Sequence, residues 1–384
     1  MQWIALHLPD LPLEALTRNL ATPEPQAVAE HHRVIACDSK ALTRGVRPGS
    51  AVSAARALAH DLVVRPRDPA GETEALLGLA GWAAQFTPSV ALELSDALVL
   101  EVSGSLKLFG GIDLIRAFLR EGCARIGFTV RVACAPTARG ATWLARAGAE
   151  RCLGHVDALA AALAALPVRI AVRAADTLEA LQSIGVRTVG DVIALPREGL
   201  ARRFGQALLD DLDRARGRLA DPRAFYVPPA QFHARFELPA EVTQAESLLF
   251  AARRLFVQLE GFLAARAGGV QRLELHLSHR AATMTVVPIG LVAPSRDAGY
   301  FTLLARERLG TVALPEPVRA LALAAADVVP LTGENIALFA DEKARLEDWP
   351  KLVERLRARL GGAAVHGIAA AEAHRPEYAS QTWG

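Results

Sequence analysis

The carboxylate of Asp96 is the first side chain in this sequence whose type and position could support chemistry. It lies near the start of the stretch Leu94–Gly111, in which apolar residues recur with a loose period of two. That period predicts a β-strand. A carboxylate is the kind of hard oxygen ligand that Mg²⁺ takes. Asp96 is therefore either a candidate metal ligand or one exposed acidic side chain on a core strand.

Length and charge limit the function classes. The 384 residues are enough for about two to four domains of usual size. The formal net charge is only +2, so no overall basic field indicates a nucleic-acid partner. Any contact with nucleic acid must come from a local motif.

The cysteines and the hydrophobic segments indicate a cytosolic protein. Cys37, Cys123, Cys134 and Cys152 form no CxxC pair, and we interpret them as reduced structural thiols. The N-terminal segment lacks the basic stretch of a signal peptide. The most hydrophobic run, residues 158–168, is too short to span a bilayer.

Hydrophobic periodicity and turn residues predict alternating strands and helices. In the N-terminal half, the predicted strands are 3–8, 61–66, 94–102 and 128–135, and the predicted helices are 52–60, 72–86 and 113–126. After an irregular linker, 222–229, the predicted order is helix 244–267, strands 270–279 and 282–288, helix 297–309 and strand 318–329. A further amphipathic helix is predicted over 346–360.

The segment Leu181–Asp191 predicts two helices joined by a hairpin with the pattern apolar, glycine, apolar, and with Thr188 capping the second helix. The hairpin glycine allows a tight turn and would present backbone N–H groups to a phosphate. A plain pair of antiparallel helices is the alternative, since Asp210, Asp211 and Asp213 nearly cancel the nearby arginines. The candidate DNA-binding residues are Gly185, Val186, Arg187, Thr188, Arg202 and Arg203.

These motifs resemble those of Y-family (translesion) DNA polymerases. The second metal-binding motif of that family has an Asp that matches Asp96 and a Glu where this chain has Ala97. Its first palm strand ends in His, an apolar residue and a ligand Asp; with His7 as the anchor, the ligand position is Pro9. Asp10 follows, and we expect it to point to the opposite face of the strand.

This sequence also differs from the family at positions that contact the incoming nucleotide in the polymerases. Glu14 stands at the sugar-gate position, where a carboxylate would repel a triphosphate. Ser39 and Leu42 replace a Tyr and an Arg that hold the triphosphate. Thr137 and Ala138 replace an Asn-Lys pair. Arg139 or Arg146 could still touch a phosphate, although we expect a solvated helix face there.

The resemblance implies an α+β multidomain chain with the right-hand architecture of the family. The implied domains are a palm (1–12 and 68–168), fingers (13–67), a thumb with the helix-hairpin-helix (169–222) and a little finger (223–330). Residues 331–384 would form a clamp-binding peptide and a partner-binding tail. Within them, Asn335, Ile336, Ala337, Leu338 and Phe339 resemble the bacterial sliding-clamp peptide, and residues 374–377 (His-Arg-Pro-Glu) resemble a tail motif of one branch.

The departures at Pro9, Asp96 and Ala97 resemble the ImuB branch, whose members derive from polymerases. The resemblance implies a cytoplasmic, nucleoid-associated scaffold without catalytic residues, metal or cofactor. It would bind primer-template DNA, the sliding clamp, an ImuA-like RecA-related protein and an error-prone C-family DNA polymerase during damage-induced synthesis.

Two alternatives remain open from the sequence. One is an active lesion-bypass polymerase that uses Asp10 and Asp96 with an unusual ligand set. The other is a non-enzymatic helix-hairpin-helix module with an unrelated N-terminal domain. The sequence leaves open which surface binds each partner, the lesion preference, the DNA affinity and the oligomeric state.

Overall fold

The computed structural model describes residues 1–93, 95–280 and 283–331. Beyond these it describes only Leu356, Arg359, Val365, 367–370 and 380–383. The chain divides into two compact units, Met1–Pro228 and Pro229–Gly384.

The first unit alternates strands and helices along most of its length. Its strands are β1 (Trp3–His7), β2 (Gln26–Glu30), β3 (Arg33–Cys37), β4 (Val63–Pro66), β5 (Val90–Glu93), β6 (Ala97–Glu101) and β7 (Arg131–Ala135). Its helices up to the last strand are α1 (Leu11–Thr17), α2 (Ser39–Thr43), α3 (Val52–Leu58), α4 (Pro69–Ala83) and α5 (Ile112–Ile126). The helices that follow are α6 (Ala138–Arg146), α7 (Val156–Ala164), α8 (Ala175–Ser183), α9 (Val189–Ala194), α10 (Arg197–Phe204) and α11 (Gln206–Ala215).

The central sheet of this unit has the order β5-β6-β1-β7, with antiparallel neighbours. Helix α4 packs against β5 and β6, while α6 packs against β6, β1 and β7. Every side chain from Ala97 to Leu100 is buried. The loose alternation in the sequence therefore does not separate a buried from a solvated face, because β6 is an inner strand of the sheet.

The stretch predicted as one strand from Leu94 is instead the second half of a hairpin. Strand β5 ends at Glu93 and β6 begins at Ala97, with Asp96 in the connection. Leu94 lies outside the described residues. The hairpin places Asp96 in the connection at one end of the sheet rather than along a strand.

A smaller sheet, β3-β2-β4, has its own apolar core with α2 and α3. Strands β2 and β3 and helix α1 were not predicted. The two strands are short and joined by a tight turn in which His31 and His32 adopt positive φ. A different core connects α6 to the helices from α7 to α11, with Leu163, Leu181 and Val189 fully buried.

The second unit is built on one larger sheet. Its strands are β8 (Phe232–Val242), β9 (Gly268–His279), β10 (Met284–Ser295), β11 (Val318–Ala325) and β12 (Val328–Pro330), and its helices are α12 (Ala245–Ala264) and α13 (Ala298–Leu309). The sheet order is β10-β9-β11-β8, with β12 beside β9. The backbones of β13 (Gly367–Ala370) and β14 (Ser380–Trp383) pair antiparallel.

Helices α12 and α13 pack against each other, and Phe256 and Phe301 are buried between them. The predicted helix-strand-strand-helix-strand order is present, but β8 precedes it. Strand β8 carried a readable signal, since Phe232, Ala234 and Phe236 are buried at every second position. The segment predicted as the final strand is divided into β11 and β12 by Ala326 and Asp327, which belong to neither strand.

Candidate functional site at the end of the central sheet

The positions singled out at the sheet end do meet in space. His7 pairs with Ala97 in the register of β1 and β6, and the Leu8 N–H donates to the Asp96 carbonyl at 2.9 Å. Pro9 follows directly and has no N–H to continue the pairing. The structure therefore brings Pro9, Asp96 and Ala97 together, although Pro9 and Asp96 are 87 positions apart in the sequence.

The carboxylate of Asp96 is surrounded by two guanidinium groups and the ring of His7. A guanidinium nitrogen of Arg146, on α6, donates directly to Asp96 Oδ1. The Nη2 of Arg173 and the Nε2 of His7 each lie 3.8 Å from Asp96 Oδ2. The Arg146 side chain is only 10% exposed and that of Asp96 26% exposed, so this ion pair is shielded from water.

The donor set at this position does not fit a pair of magnesium ions. The side chains of Pro9 and Ala97 carry no oxygen, and the Asp96 carboxylate already accepts a charge-assisted hydrogen bond from Arg146. Within the described ranges, no group of three His, Cys, Asp or Glu side chains is placed to hold a metal ion.

His7 lies in the same cluster, and its imidazole ring stays neutral over an unusually wide pH range. Burial lowers its pKa to about 4, and the Asp96 carboxylate only partly opposes this shift. The guanidinium groups of Arg146, Arg131 and Arg173 lower the pKa further. Protonated His7 would add a fourth positive charge beside a single carboxylate.

We expect the contribution of His7 to the free energy of unfolding to fall between pH 6.5 and about 4. The pKa of His7 is depressed by folding, so below 6.5 the unfolded chain binds a proton that the folded chain does not bind. The loss has an upper limit of about 1.4 kcal/mol per pH unit. In urea unfolding at several pH values, His7→Gln should show a smaller slope than the wild type in this window and the same slope above it. Equal slopes at all pH values would contradict this assignment of His7.

Asp10 and Glu14 lie on the other side of the turn, at the start of α1. Strand β1 has already ended, so the expectation that Asp10 points to the opposite face of a strand is wrong; it precedes the helix instead. Glu14 is buried and accepts hydrogen bonds from Thr129 N (2.9 Å), Thr129 Oγ1 (2.6 Å) and Asn19 Nδ2 (2.7 Å). Burial raises the pKa of both carboxyl groups. Glu14 is therefore fixed by internal donors.

Arg139 does not lie on a solvated helix face, and neither does Arg146, which contradicts the sequence-based expectation. Arg139 Nη1 lies 3.6 Å from the buried Glu93, and its Nη2 lies 3.4 Å from Asp211 on α11. Arg223 donates to the same Glu93 carboxylate. These ion pairs connect β5, α6 and α11 within the first unit.

The residues that replace the family's nucleotide-contacting side chains have local structural positions in this protein. Thr137 caps the N-terminus of α6 and donates its hydroxyl to the Ala215 carbonyl at 2.7 Å. Ala138 is buried in the first turn of the same helix. Ser39 begins α2, which Asp38 caps, and Leu42 is partly exposed on that helix.

The helical hairpin is present with the predicted cap. Gly185 has a φ of +87°, and Thr188 and Asp191 form a reciprocal capping box on α9. The hairpin N–H groups, however, have internal acceptors: those of Arg187 and Thr188 donate to the Asp191 carboxylate at 2.9 and 2.8 Å. Those of Gly185 and Val186 donate to helix carbonyls. The expectation that these groups are free for phosphate is therefore wrong in this conformation.

The arginine side chains near the hairpin are better placed than its backbone. Arg187, Arg202 and Arg203 are exposed, and Val186 is buried in the core. Asp213 pairs with Arg197, and Asp211 pairs with Arg214 and Arg139, so the nearby acids do not neutralise Arg202 and Arg203 as the sequence implied.

Two further predictions concern the tail and the membrane. Asn335, Ile336, Ala337, Leu338 and Phe339 lie outside the described residues, as do most of the predicted helix 346–360 and residues 374–377. No helix in the described part of the chain is both long enough and apolar enough to cross a membrane.

The described part of the chain thus consists of an antiparallel sheet with Asp96 at its end, paired helices and a second α/β unit. Residues 12–146 match the sequence model of the impB/mucB/samB family. Over 336 residues the chain is 33% identical to Protein ImuB of Caulobacter vibrioides, from strain NA1000 and from strain ATCC 19089. The match covers 87% of this chain and 73% of the relative. The chain belongs to the ImuB family of Y-family polymerase homologues, and the predicted fold class is confirmed.

Solved structures give a looser match. A Dbh ternary complex with partially disordered substrates superposes with a TM-score of 0.47 at 15% identity. DinB from Sulfolobus solfataricus superposes with a TM-score of 0.46 at 15% identity. Each match covers 86% of this chain and all of the other. The family assignment rests on the sequence matches.

Proposed function

We propose that this chain is a DNA-binding adaptor in SOS-induced mutagenesis and translesion synthesis and that it does not itself synthesise DNA. The observation that carries the proposal is the state of Asp96. At the position where the family resemblance expects a metal-binding carboxylate, the acid is neutralised by Arg146 and Arg173. A guanidinium group supplies positive charge but cannot coordinate the attacking and leaving oxygens of a phosphoryl transfer.

DNA binding by the adaptor would rest on the arginines of the helical hairpins. Arg187, Arg202 and Arg203 are exposed, and in the described part of the chain no acidic side chain pairs with them. Arginine contacts to phosphate position a duplex without reading its sequence. A protein with few such contacts binds weakly, and its affinity falls as salt is added.

The proposed partners follow from the family resemblance and from the tail. Residues 335–339 would bind the sliding clamp, and the tail would contact an ImuA-like RecA-related protein and an error-prone C-family polymerase. These contacts would hold the protein on the replicating chromosome, in the cytoplasm. The proposed domains are those given by the resemblance, with the palm, fingers and thumb in the first unit and most of the little finger in the second.

The alternative of an active polymerase depends on Asp10 and Asp96 acting together. Asp96 is already engaged by Arg146, and Asp10 is partly buried at the start of α1. The alternative of an unrelated N-terminal domain is contradicted, because the family match lies in residues 12–146.

Primer-template DNA should be bound but not extended by the purified protein. In Mg²⁺ or Mn²⁺ with all four nucleotides, no template-dependent product should form at protein concentrations that saturate the DNA. Changing Arg202 and Arg203 together to Gln should weaken binding by about 3- to 10-fold and lower the slope of log K against log salt by about 1 to 2. Fluorescence anisotropy at several salt concentrations measures both quantities.

Arg56→Gln is the matched control, because Arg56 is an exposed arginine on α3, away from the hairpins. It should leave the affinity and the salt slope unchanged. If the wild-type protein extends the primer and Asp96→Ala does not, the adaptor proposal is wrong. An equal effect of the Arg56 and Arg202/Arg203 changes would mean that the hairpins are not the DNA contact.

A further inference from the structure

Cys134 and Cys152 lie directly opposite each other in the first unit. The Cys134 N–H donates to the Arg151 carbonyl at 2.9 Å, and the Leu153 N–H donates to the Cys134 carbonyl at 3.0 Å. These two bonds flank Cys152 and form a parallel bridge between the two cysteines. Paired strands bring opposite Cα atoms to about 5 Å, which is within the range that a disulfide spans.

The two thiols differ in exposure and in acidity. Cys134 is fully buried at the end of β7, whereas Cys152 is exposed. A hydrogen bond from Cys134 lowers the pKa of the Cys152 thiol to about 7, and the guanidinium group of Arg116 contributes, against the opposing charge of Asp113. The same hydrogen bond, together with burial, raises the pKa of Cys134. One thiol of the pair is thus accessible and ionised near neutral pH, which is the form that reacts with oxidants.

We propose that Cys134 and Cys152 form an oxidisable dithiol that closes to a disulfide when the protein meets a hydroperoxide. The Cys152 thiolate attacks one peroxide oxygen, so an S–O bond forms, the O–O bond breaks and one water or alcohol leaves. The Cys134 sulfur then attacks the sulfenic acid at Cys152. The S–S bond forms, the S–O bond breaks, and the hydroxyl leaves as water with the Cys134 proton. Two thiols lose two electrons, and one hydroperoxide gains them.

Closure would act on the candidate site through helix α6. The segment between the two cysteines contains α6. Two arginines of this helix form ion pairs at the site, Arg139 with Glu93 and Arg146 with Asp96. A disulfide across the ends of this segment restricts the unfolded chain and so stabilises the folded form. The other two cysteines, Cys37 and Cys123, are buried, and neither is bridged to another cysteine.

The experiment treats the full chain with hydrogen peroxide, blocks the remaining thiols by alkylation and maps tryptic peptides without reduction. Trypsin places the two cysteines in the peptides 132–139 and 152–169. We expect these peptides to be linked, and the link to be broken by dithiothreitol. The thermal midpoint of the oxidised protein should rise by about 5 °C or more and return on reduction.

Cys152→Ser should abolish both the linked peptide and the rise in midpoint, and it should fold normally because the side chain is exposed. Cys37→Ser should retain both. Oxidation of Cys152 to the sulfinic acid while Cys134 stays a free thiol would overturn the proposal. So would a Cys152–Cys152 link between two chains in place of the internal link.

Discussion

Replacing Asp96 with alanine should lower the free energy of unfolding of the first unit by about 2 to 4 kcal/mol. The change removes the carboxylate that accepts from Arg146 and leaves a guanidinium group that is nine-tenths buried without its acidic partner. Removing one member of a buried ion pair costs about 3 to 5 kcal/mol. We take a lower range because the Asp96 side chain keeps 26% of its exposure.

A double-mutant cycle separates the ion pair from other effects of the substitution. Asp96→Ala combined with Arg146→Met removes both charges, so most of the lost stability should return. Urea unfolding followed by the fluorescence of Trp3, Trp82 and Trp143 reports on this unit, since all three are buried in it. Asp61→Ala is the matched control, because the pair of Asp61 with Arg44 is much more exposed, and this change should leave stability nearly unchanged.

The same variant distinguishes an adaptor from an enzyme. If Asp96 held a metal ion for catalysis, Asp96→Ala would remove DNA synthesis and leave stability nearly intact, because the carboxylate would not be the partner of Arg146. Stability equal to the wild type in Asp96→Ala would therefore falsify the ion-pair interpretation of this position.

Replacing Leu338 and Phe339 with alanine should abolish measurable binding to the sliding clamp. In the proposed peptide these two side chains fill an apolar pocket, and anchors of this kind each contribute about 2 kcal/mol or more to binding. The two changes together should weaken the affinity by at least about 100-fold. Surface plasmon resonance with immobilised clamp, using full-length protein, measures the effect.

Two further variants test whether the effect is specific to the peptide. Asn335→Gln should tighten binding, because Asn is one methylene shorter than the residue of the resembled motif. Leu356→Ala removes an exposed apolar residue of the tail outside the peptide and should leave binding unchanged. Clamp binding that survives the Leu338/Phe339 change would place the contact elsewhere on the chain.

Motifs with local causes could be predicted from the sequence. The Thr188 cap depends on residues three positions apart, and the structure confirms it as a capping box. The helices α3, α5, α12 and α13 follow from periodicity, and Asp297 caps the N-terminus of α13. Strand β8 could have been predicted by the same rule, because its alternation is regular.

Features with long-range causes could not be predicted. The sequence predicted a solvated helix face at Arg139 and Arg146, because their acidic partners are distant along the chain. Asp96, for example, lies 50 residues before Arg146. Likewise, the acids near Arg202 and Arg203 pair with other arginines, and the choice among them depends on how α10, α11 and α6 pack.

The sequence alone determined the family and the identity of the side chains at Pro9, Asp96 and Ala97, because these are properties of the chain itself. Only the tertiary structure decided whether the Asp96 carboxylate is free or in an ion pair. The pairing of β1 with β6 places Asp96 at the sheet end, and the packing of α6 on that sheet brings Arg146 to its carboxylate. A charge is neutralised or exposed according to what folding places within about 4 Å of it, and no local pattern encodes that distance.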